Sequence, residues 1–187
     1  TGVPKRAMVA CSGSNDKCKQ KFDYQGIETC AAAAMVSGGP SACAFGCIGK
    51  GDCVASCKFD AIHVVNGVAV VDREKCTGCS ACTVACPKHI IFMKPLEAKP
   101  VVECSNKEKG PVVMKECTAG CIGCMLCQKN CPSGAITVTN FVASIDYDKC
   151  TGCGICTEKC PKKVIYFVDG KPKTAPSEAA PAEEKAN

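Results

Sequence analysis

Tryptophan is absent, and tyrosine and phenylalanine together supply only 5% of the 187 residues. That is too little bulk for the apolar core a chain of this size ordinarily builds. No run approaches the 18 or more apolar residues that a membrane-spanning helix needs. A signal-peptide pattern is missing and the chain opens on Thr1 rather than Met, which points to a fragment or a processed product. Histidine occurs twice. Neither a nucleophile–base pair nor a phosphate-cradling loop stands out, so no substrate chemistry is expected within this chain. Basic residues do not interleave with aromatics, which argues against a nucleic-acid surface. What the chain does have is cysteine, 21 residues of it.

Most of that cysteine falls in one spacing. Cys76, Cys79, Cys82 and Cys86 read C-x2-C-x2-C-x3-C, followed by Pro87. Cys150, Cys153, Cys156 and Cys160 repeat it before Pro161, and Cys121, Cys124, Cys127 and Cys131 repeat it before Pro132. This is the bacterial ferredoxin run that holds cubane iron–sulfur clusters, its fourth cysteine serving the neighbouring cluster. Disulfides fit poorly: adjacent short loops cannot all be bridged without strain, and an odd count leaves one thiol over. Zinc is the rival metal, because paired C-x2-C also binds it. Thiolates destined for clusters need a reducing compartment during assembly. Metal–thiolate bonds then replace the missing core, and the metal-free chain is expected to be largely unfolded.

The formal charge of +5 counts each cysteine as neutral. A four-iron cubane with four thiolates carries about −2, so four of them bring the loaded protein to about −3. Basicity therefore gives no support to a nucleic-acid partner.

The chain is a duplication. Shifted by 74 residues without a gap, Cys30, Cys43, Cys47, Cys53, Cys57, Cys76, Cys79, Cys82 and Cys86 each meet a cysteine. Gly46-Cys47-Ile48-Gly49 meets Gly120-Cys121-Ile122-Gly123, and Lys75-Cys76-Thr77-Gly78 meets Lys149-Cys150-Thr151-Gly152. Cys11 and Cys18 precede the first repeat, and Cys124 meets Lys50. The fold class expected is a small α+β protein of tandem two-cluster ferredoxin modules. An N-terminal Cys-rich segment (1–42) leads into module one (43–93), a linker (94–116), module two (117–168) and a disordered tail (169–187). Ile62 to Val71 reads as a hairpin around Asn66-Gly67, and Ile136 to Ile145 as a weaker one around Asn140-Phe141. Short helices are expected after the third cysteine of each motif, for example Ser80 to Ala85.

The ferredoxin rule assigns ligands. Cys121, Cys124 and Cys127 join Cys160, and Cys150, Cys153 and Cys156 join Cys131. Cys76, Cys79 and Cys82 join Cys57, although Lys58 stands where proline is usual. The fourth site holds Cys47, Cys53 and Cys86, with Lys50 at the second position, and a protonated lysine cannot ligate iron. Cys43 completes that site, or it holds a three-iron [3Fe-4S] cluster, or, less suitably for a soft metal, Asp52 serves. Cys11, Cys18, Cys30 and Cys43 form a candidate fifth site, so that the chain is expected to carry four to five [4Fe-4S] clusters. Cys104 and Cys117 read as ordinary buried thiols, although Cys117 is present where Cys124 already completes its module, which points to a role for the Cys43/Cys117 position beyond replacing Cys124.

Beyond these motifs, Cys11-Ser12-Gly13, Lys17-Cys18-Lys19, Tyr24 to Ile27, Cys30-Ala31-Ala32, Gly38-Gly39-Pro40 and Gly51-Asp52-Cys53 resemble the B subunit of the Rnf complex in its long, polyferredoxin form. The resemblance covers about residues 7–168. It implies a membrane-bound ferredoxin:NAD oxidoreductase that couples electron flow to Na⁺ or H⁺ transport, in which the resembled subunit takes electrons from reduced ferredoxin. It also implies Rnf-type partner subunits and a place at the cytoplasmic face of the membrane. The family's N-terminal membrane helix and first cluster domain have no match here, so membrane association is assigned to parts outside this chain. A polyferredoxin of a hydrogenase or formate dehydrogenase, and a zinc-binding interaction module, are the alternatives. Lys50, Lys58, Lys75, Lys88, Lys149, Lys159, Lys162 and Lys163 surround the motifs, as a solvated face or as a guide for an acidic donor. His63 and His89 are expected in surface or packing roles.

Overall fold

The computed structural model describes residues 3–96 and 99–167, so the tail expected at 169–187 lies outside the described residues. Two similar units follow one another. In the first, strand β1 (Lys5–Val9) comes before helices α1 (Cys30–Met35) and α2 (Asp52–Ala55), hairpin β2–β3 (Ile62–Val65, Val68–Val71), helix α3 (Ala81–Ala85) and strand β4 (Ile91–Pro95). In the second, β5 (Pro100–Val102) and α4 (Gly110–Glu116) come before α5 (Leu126–Lys129), hairpin β6–β7 (Ile136–Thr139, Val142–Ile145), α6 (Ile155–Lys159) and β8 (Ile165–Phe167).

Each unit has two antiparallel pairs. The inner pair is the hairpin, with Ile62 opposite Val71 and Ile136 opposite Ile145. The outer pair joins the unit's ends: Val9 opposes Ile91, and Val102 opposes Ile165. The stretch read as a linker therefore contributes β5 and α4 to module two, and the N-terminal segment contributes β1 to module one.

Both hairpins turn through two residues at positive φ, as a right-twisted two-residue turn requires. Asn66 and Gly67 lie at 48° and 80°, and Asn140 and Phe141 at 49° and 62°. The second turn is thus the same turn as the first, with Phe141 in a left-handed conformation that side chains rarely adopt. Gly49 fixes how closely the hairpin tip approaches the first motif. A Cβ there would stand 2.4 Å from the Gly67 carbonyl oxygen.

The cores are thin and made of small side chains. Ala7, Val9, Ala61, Ile62, Val68, Ala69, Ile90 and Ile91 pack with Cys53, Cys76 and Cys82. Val102, Ile136, Ala143, Ile145, Val164 and Ile165 pack with Cys121, Cys127, Cys156 and Cys160. Strand alternation lets β1 serve both units. Ala7 and Val9 face the first core, while Met8 and the following Ala10 meet Val101, Tyr147 and Tyr166 at the seam between modules. Polar bonds reinforce the seam. Ser105 Oγ donates to the Ala10 carbonyl at 3.0 Å, and Ser12 Oγ donates to Glu103 Oε2 at 2.9 Å.

Candidate metal centre

The motif loops share one backbone device. Each short helix begins just before the third cysteine and carries it in its first turn: Cys53 in α2, Cys82 in α3, Cys127 in α5 and Cys156 in α6. Helix α3 runs from Ala81, and Ser80 is a left-handed residue before it rather than part of it. Its counterparts Gly51, Met125 and Gly154 are left-handed too. In each motif that left-handed residue lies between the second and third ligand positions.

Three of the thiol groupings expected from spacing come together. Burial raises the Cys82 thiol above its ordinary value, and the charges of Cys76, Cys79 and Cys57 add to that. Burial pushes Cys127 up to about 11, with Cys121, Cys160 and Cys124 as charged neighbours. It pushes Cys156 up to about 12, beside Cys150, Cys153, Cys127 and Cys131. The second cysteines Cys79 and Cys124 are exposed, so two of these groupings have an edge at the surface.

The fourth grouping differs from expectation. Cys30, Cys47, Cys53 and Cys86 line one cavity, and Cys43 is not among its lining residues. Cys53 is pushed up to about 12 by burial and by Cys47, Cys30 and Cys86. Asp52 explains why Cys30 is there. Its Oδ1 accepts from the Cys30 N–H at 2.7 Å and its Oδ2 from the Ala31 N–H at 2.9 Å. Thr29 caps the same helix through Ala32 N–H at 3.2 Å. Both Asp52 oxygens are thus committed to the N-terminus of α1, where a carboxylate is favoured. Lys50 points elsewhere, pairing with Glu28 at 2.6 Å and lying over the Tyr24 ring.

The N-terminal set is divided. Cys30 goes to the cavity just described. Cys11, Cys18 and Cys43 meet Cys104 and Cys117 in a second cavity between the modules, which Cys47 also lines. Cys104 and Cys117 are therefore not isolated core thiols. The repeat is not gapless at its start. Because Val9 and Val102 occupy the same register position against Ile91 and Ile165, the counterpart of Cys104 is Cys11, not Cys30.

Among the lysines around the motifs, several are engaged. Lys88 Nζ donates to the Gly38 and Ala44 carbonyls, Lys75 pairs with Asp60 at 3.0 Å, and Lys149 pairs with Asp146 at 3.5 Å. His63 is half-exposed beside Asp60, and His89 sits at a turn with φ 50°.

The donor sets suit iron–sulfur clusters. Each grouping offers four soft thiols at the end of short loops, and backbone N–H groups reach sulfur, as Ala7 N–H does to Cys76 Sγ at 3.5 Å. Among the described residues, no three His, Cys, Asp or Glu side chains could hold a single metal ion. A family model for the 4Fe-4S dicluster domain matches residues 75–135 and 120–164. A ferredoxin of Alicyclobacillus acidocaldarius is 36% identical over 62 residues, 80% of its length and 30% of this chain. The chain belongs to the 4Fe-4S dicluster ferredoxins.

This ferredoxin carries several 4Fe-4S clusters and transfers electrons. It is also similar to longer proteins. The B subunit of the Na⁺-translocating ferredoxin:NAD⁺ oxidoreductase complex of Acetobacterium woodii is 43% identical over 150 residues, 80% of this chain and 45% of that protein. The B subunit of the proton-translocating ferredoxin:NAD⁺ oxidoreductase complex of Clostridium ljungdahlii is 44% identical over 144 residues, 76% of this chain and 51% of that protein. The chain thus spans about half the length of these relatives. The resemblance to the Rnf complex expected from Cys11 to Cys53 and the motifs is borne out. Among the described residues, no helix is long and apolar enough to cross a membrane.

Proposed function

We propose that this ferredoxin is the electron relay of an Rnf-type complex, occupying the place of its B subunit, accepting single electrons from a reduced ferredoxin and passing them through its modules to partner subunits. The observation that carries the reading is the presence of four separate cysteine groupings in one chain that is similar to the Acetobacterium woodii protein over about four-fifths of its own length. Cys57, Cys76, Cys79 and Cys82 hold one cluster. Cys121, Cys124, Cys127 and Cys160 hold a second, and Cys131, Cys150, Cys153 and Cys156 a third. Cys30 completes the fourth with Cys47, Cys53 and Cys86, so this site takes four irons rather than three.

Bound clusters supply reversible one-electron chemistry. The residues do the rest. Thiolates fix the position of each site, N–H donors to sulfur stabilise added negative charge, and the thin apolar cores keep water away. The exposed thiols Cys79 and Cys124 mark the edges at which electrons enter or leave. The same similarity supports a place beside other subunits of an ion-translocating complex, which we assign to the cytoplasmic face of the membrane.

Donor docking is testable by salt. The exposed lysines around the motifs steer an acidic donor, and screening acts over about 10 Å at 0.1 M salt. Stopped-flow reduction by ferredoxin should slow steeply as ionic strength rises. A rate indifferent to salt would remove the steering lysines from the account.

A further inference from the structure

We propose that the cavity between the modules is a fifth [4Fe-4S] site, held by Cys11 and Cys43 from module one and Cys104 and Cys117 from module two. The four thiols are two repeat-related pairs. Cys11 and Cys104 follow equivalent strands: Ala10 N–H donates to the Ile90 carbonyl at 2.8 Å, and Glu103 N–H donates to the Val164 carbonyl at 3.0 Å. Cys43 and Cys117 stand 74 residues apart, the offset of the motif cysteines.

The hydrogen bonds repeat as well. Cys11 Sγ accepts from Gly13 N–H and from Cys47 N–H, both at 3.4 Å. Cys104 Sγ accepts from Asn106 N–H at 3.4 Å and Cys121 N–H at 3.3 Å. Cys43 and Cys117 accept from the N–H groups two residues on, at Phe45 and Ala119. The motif cysteines Cys47 and Cys150 show the same bond, from Gly49 and Gly152. Asn106, only 2% exposed, donates its side-chain amide to Cys43 Sγ at 3.2 Å. An amide donor aimed at a buried sulfur stabilises a thiolate.

Size and position agree with the role. The cavity matches in size the one lined by Cys30, Cys47, Cys53 and Cys86. Cys18 and Cys47 also line the wall; Cys47 belongs to the neighbouring site with Cys30 and Cys86, and Cys18 has no counterpart in module two. Its sulfur is hydrogen-bonded to the Cys117 thiol and to backbone at Ala42 and Cys43. Cys18 is accordingly a neighbour of the site, not a ligand.

The site would make the relay continuous. Cys47 stands between two cavities, its sulfur with Cys30 and Cys86 and its N–H on Cys11. Cys121 does the same on the other side, its N–H on Cys104 and its charge beside Cys127. One hydrogen bond thus links the central site to the nearest ferredoxin site in each module.

The proposal rests on the four ferredoxin sites being cubanes, and iron counting separates the two claims. Anaerobic reconstitution of the chain should give about 20 irons and about 20 acid-labile sulfides per chain. A count of about 16 of each would overturn the fifth site alone, and zinc without sulfide would overturn both claims. Cys43→Ser with Cys117→Ser should lose about four irons and keep the other signals, whereas Cys18→Ser should keep all. Loss of four irons in Cys18→Ser, or none in the double variant, would contradict the ligand set. If the double variant fails to fold, the count on the unaltered chain still decides.

Discussion

Asp52→Ala tests whether that carboxylate anchors Cys30 or binds iron itself. The substitution removes two hydrogen bonds, at 2.7 and 2.9 Å, from the first two N–H groups of a six-residue helix. Hydrogen bonds to a charged group contribute about 1.5–3 kcal/mol each, less where solvent competes, as it does at exposed Ala31. The helix is too short to hold itself, so its tethers decide its stability. Taking about 2–3 kcal/mol for the pair, local opening of α1 should rise roughly 30- to 150-fold. Hydrogen exchange at Cys30 and Ala31 should speed up by that factor. Oxygen-driven loss of iron should speed up with it, confined to the site of Cys47, Cys53 and Cys86. Asp52→Asn, which retains one acceptor oxygen, should fall between. Release of one iron by Asp52→Ala with exchange at Cys30 unchanged would refute this role, because that is the behaviour of a ligand. Full iron content in Cys30→Ser would refute it equally.

Two other expectations follow from the same geometry. Cys124→Ser removes the exposed ligand of a complete grouping and should convert that site toward three irons, seen as a new three-iron EPR signal in the oxidised protein; an unchanged spectrum would contradict the assignment. Cluster retention should fall as pH is lowered, because protons compete with iron for sulfur. A thiol must lose its proton to ligate iron, and in the folded chain burial lifts Cys53, Cys127 and Cys156 to about 12, 11 and 12, so assembly releases protons. Raising pH therefore favours loading, and lowering it favours loss; iron retention across a pH series checks the sign.

Much of the protein was legible in its residues because ferredoxin motifs are local. Three groupings need only C-x2-C-x2-C-x3-C and one long-range exchange, and the structure brings each together. Asn66-Gly67 announced its turn because both residues tolerate positive φ, whereas Phe141 concealed the same turn because phenylalanine does not. The irregular site was hidden for another reason. Its neighbouring thiol Cys30 lies far upstream, brought in by Asp52, whose role as a helix anchor is not visible in spacing. The central cavity was hidden by an unequal insertion: Cys43 follows Cys11 by 32 positions, while Cys117 follows Cys104 by 13. At the gapless offset Cys104 falls on Cys30 rather than on Cys11. The recurring Cys-Ser after an apolar strand, Cys11-Ser12 and Cys104-Ser105, was the available signal.

The most direct test of the central claim is an anaerobic reductive titration of the reconstituted chain, following its visible absorption. An electron relay of this kind should take up roughly four or more electrons per chain, one for each cubane, with the brown absorption bleaching as it does so and returning on reoxidation. A colourless chain that binds zinc and accepts no electrons would contradict the account.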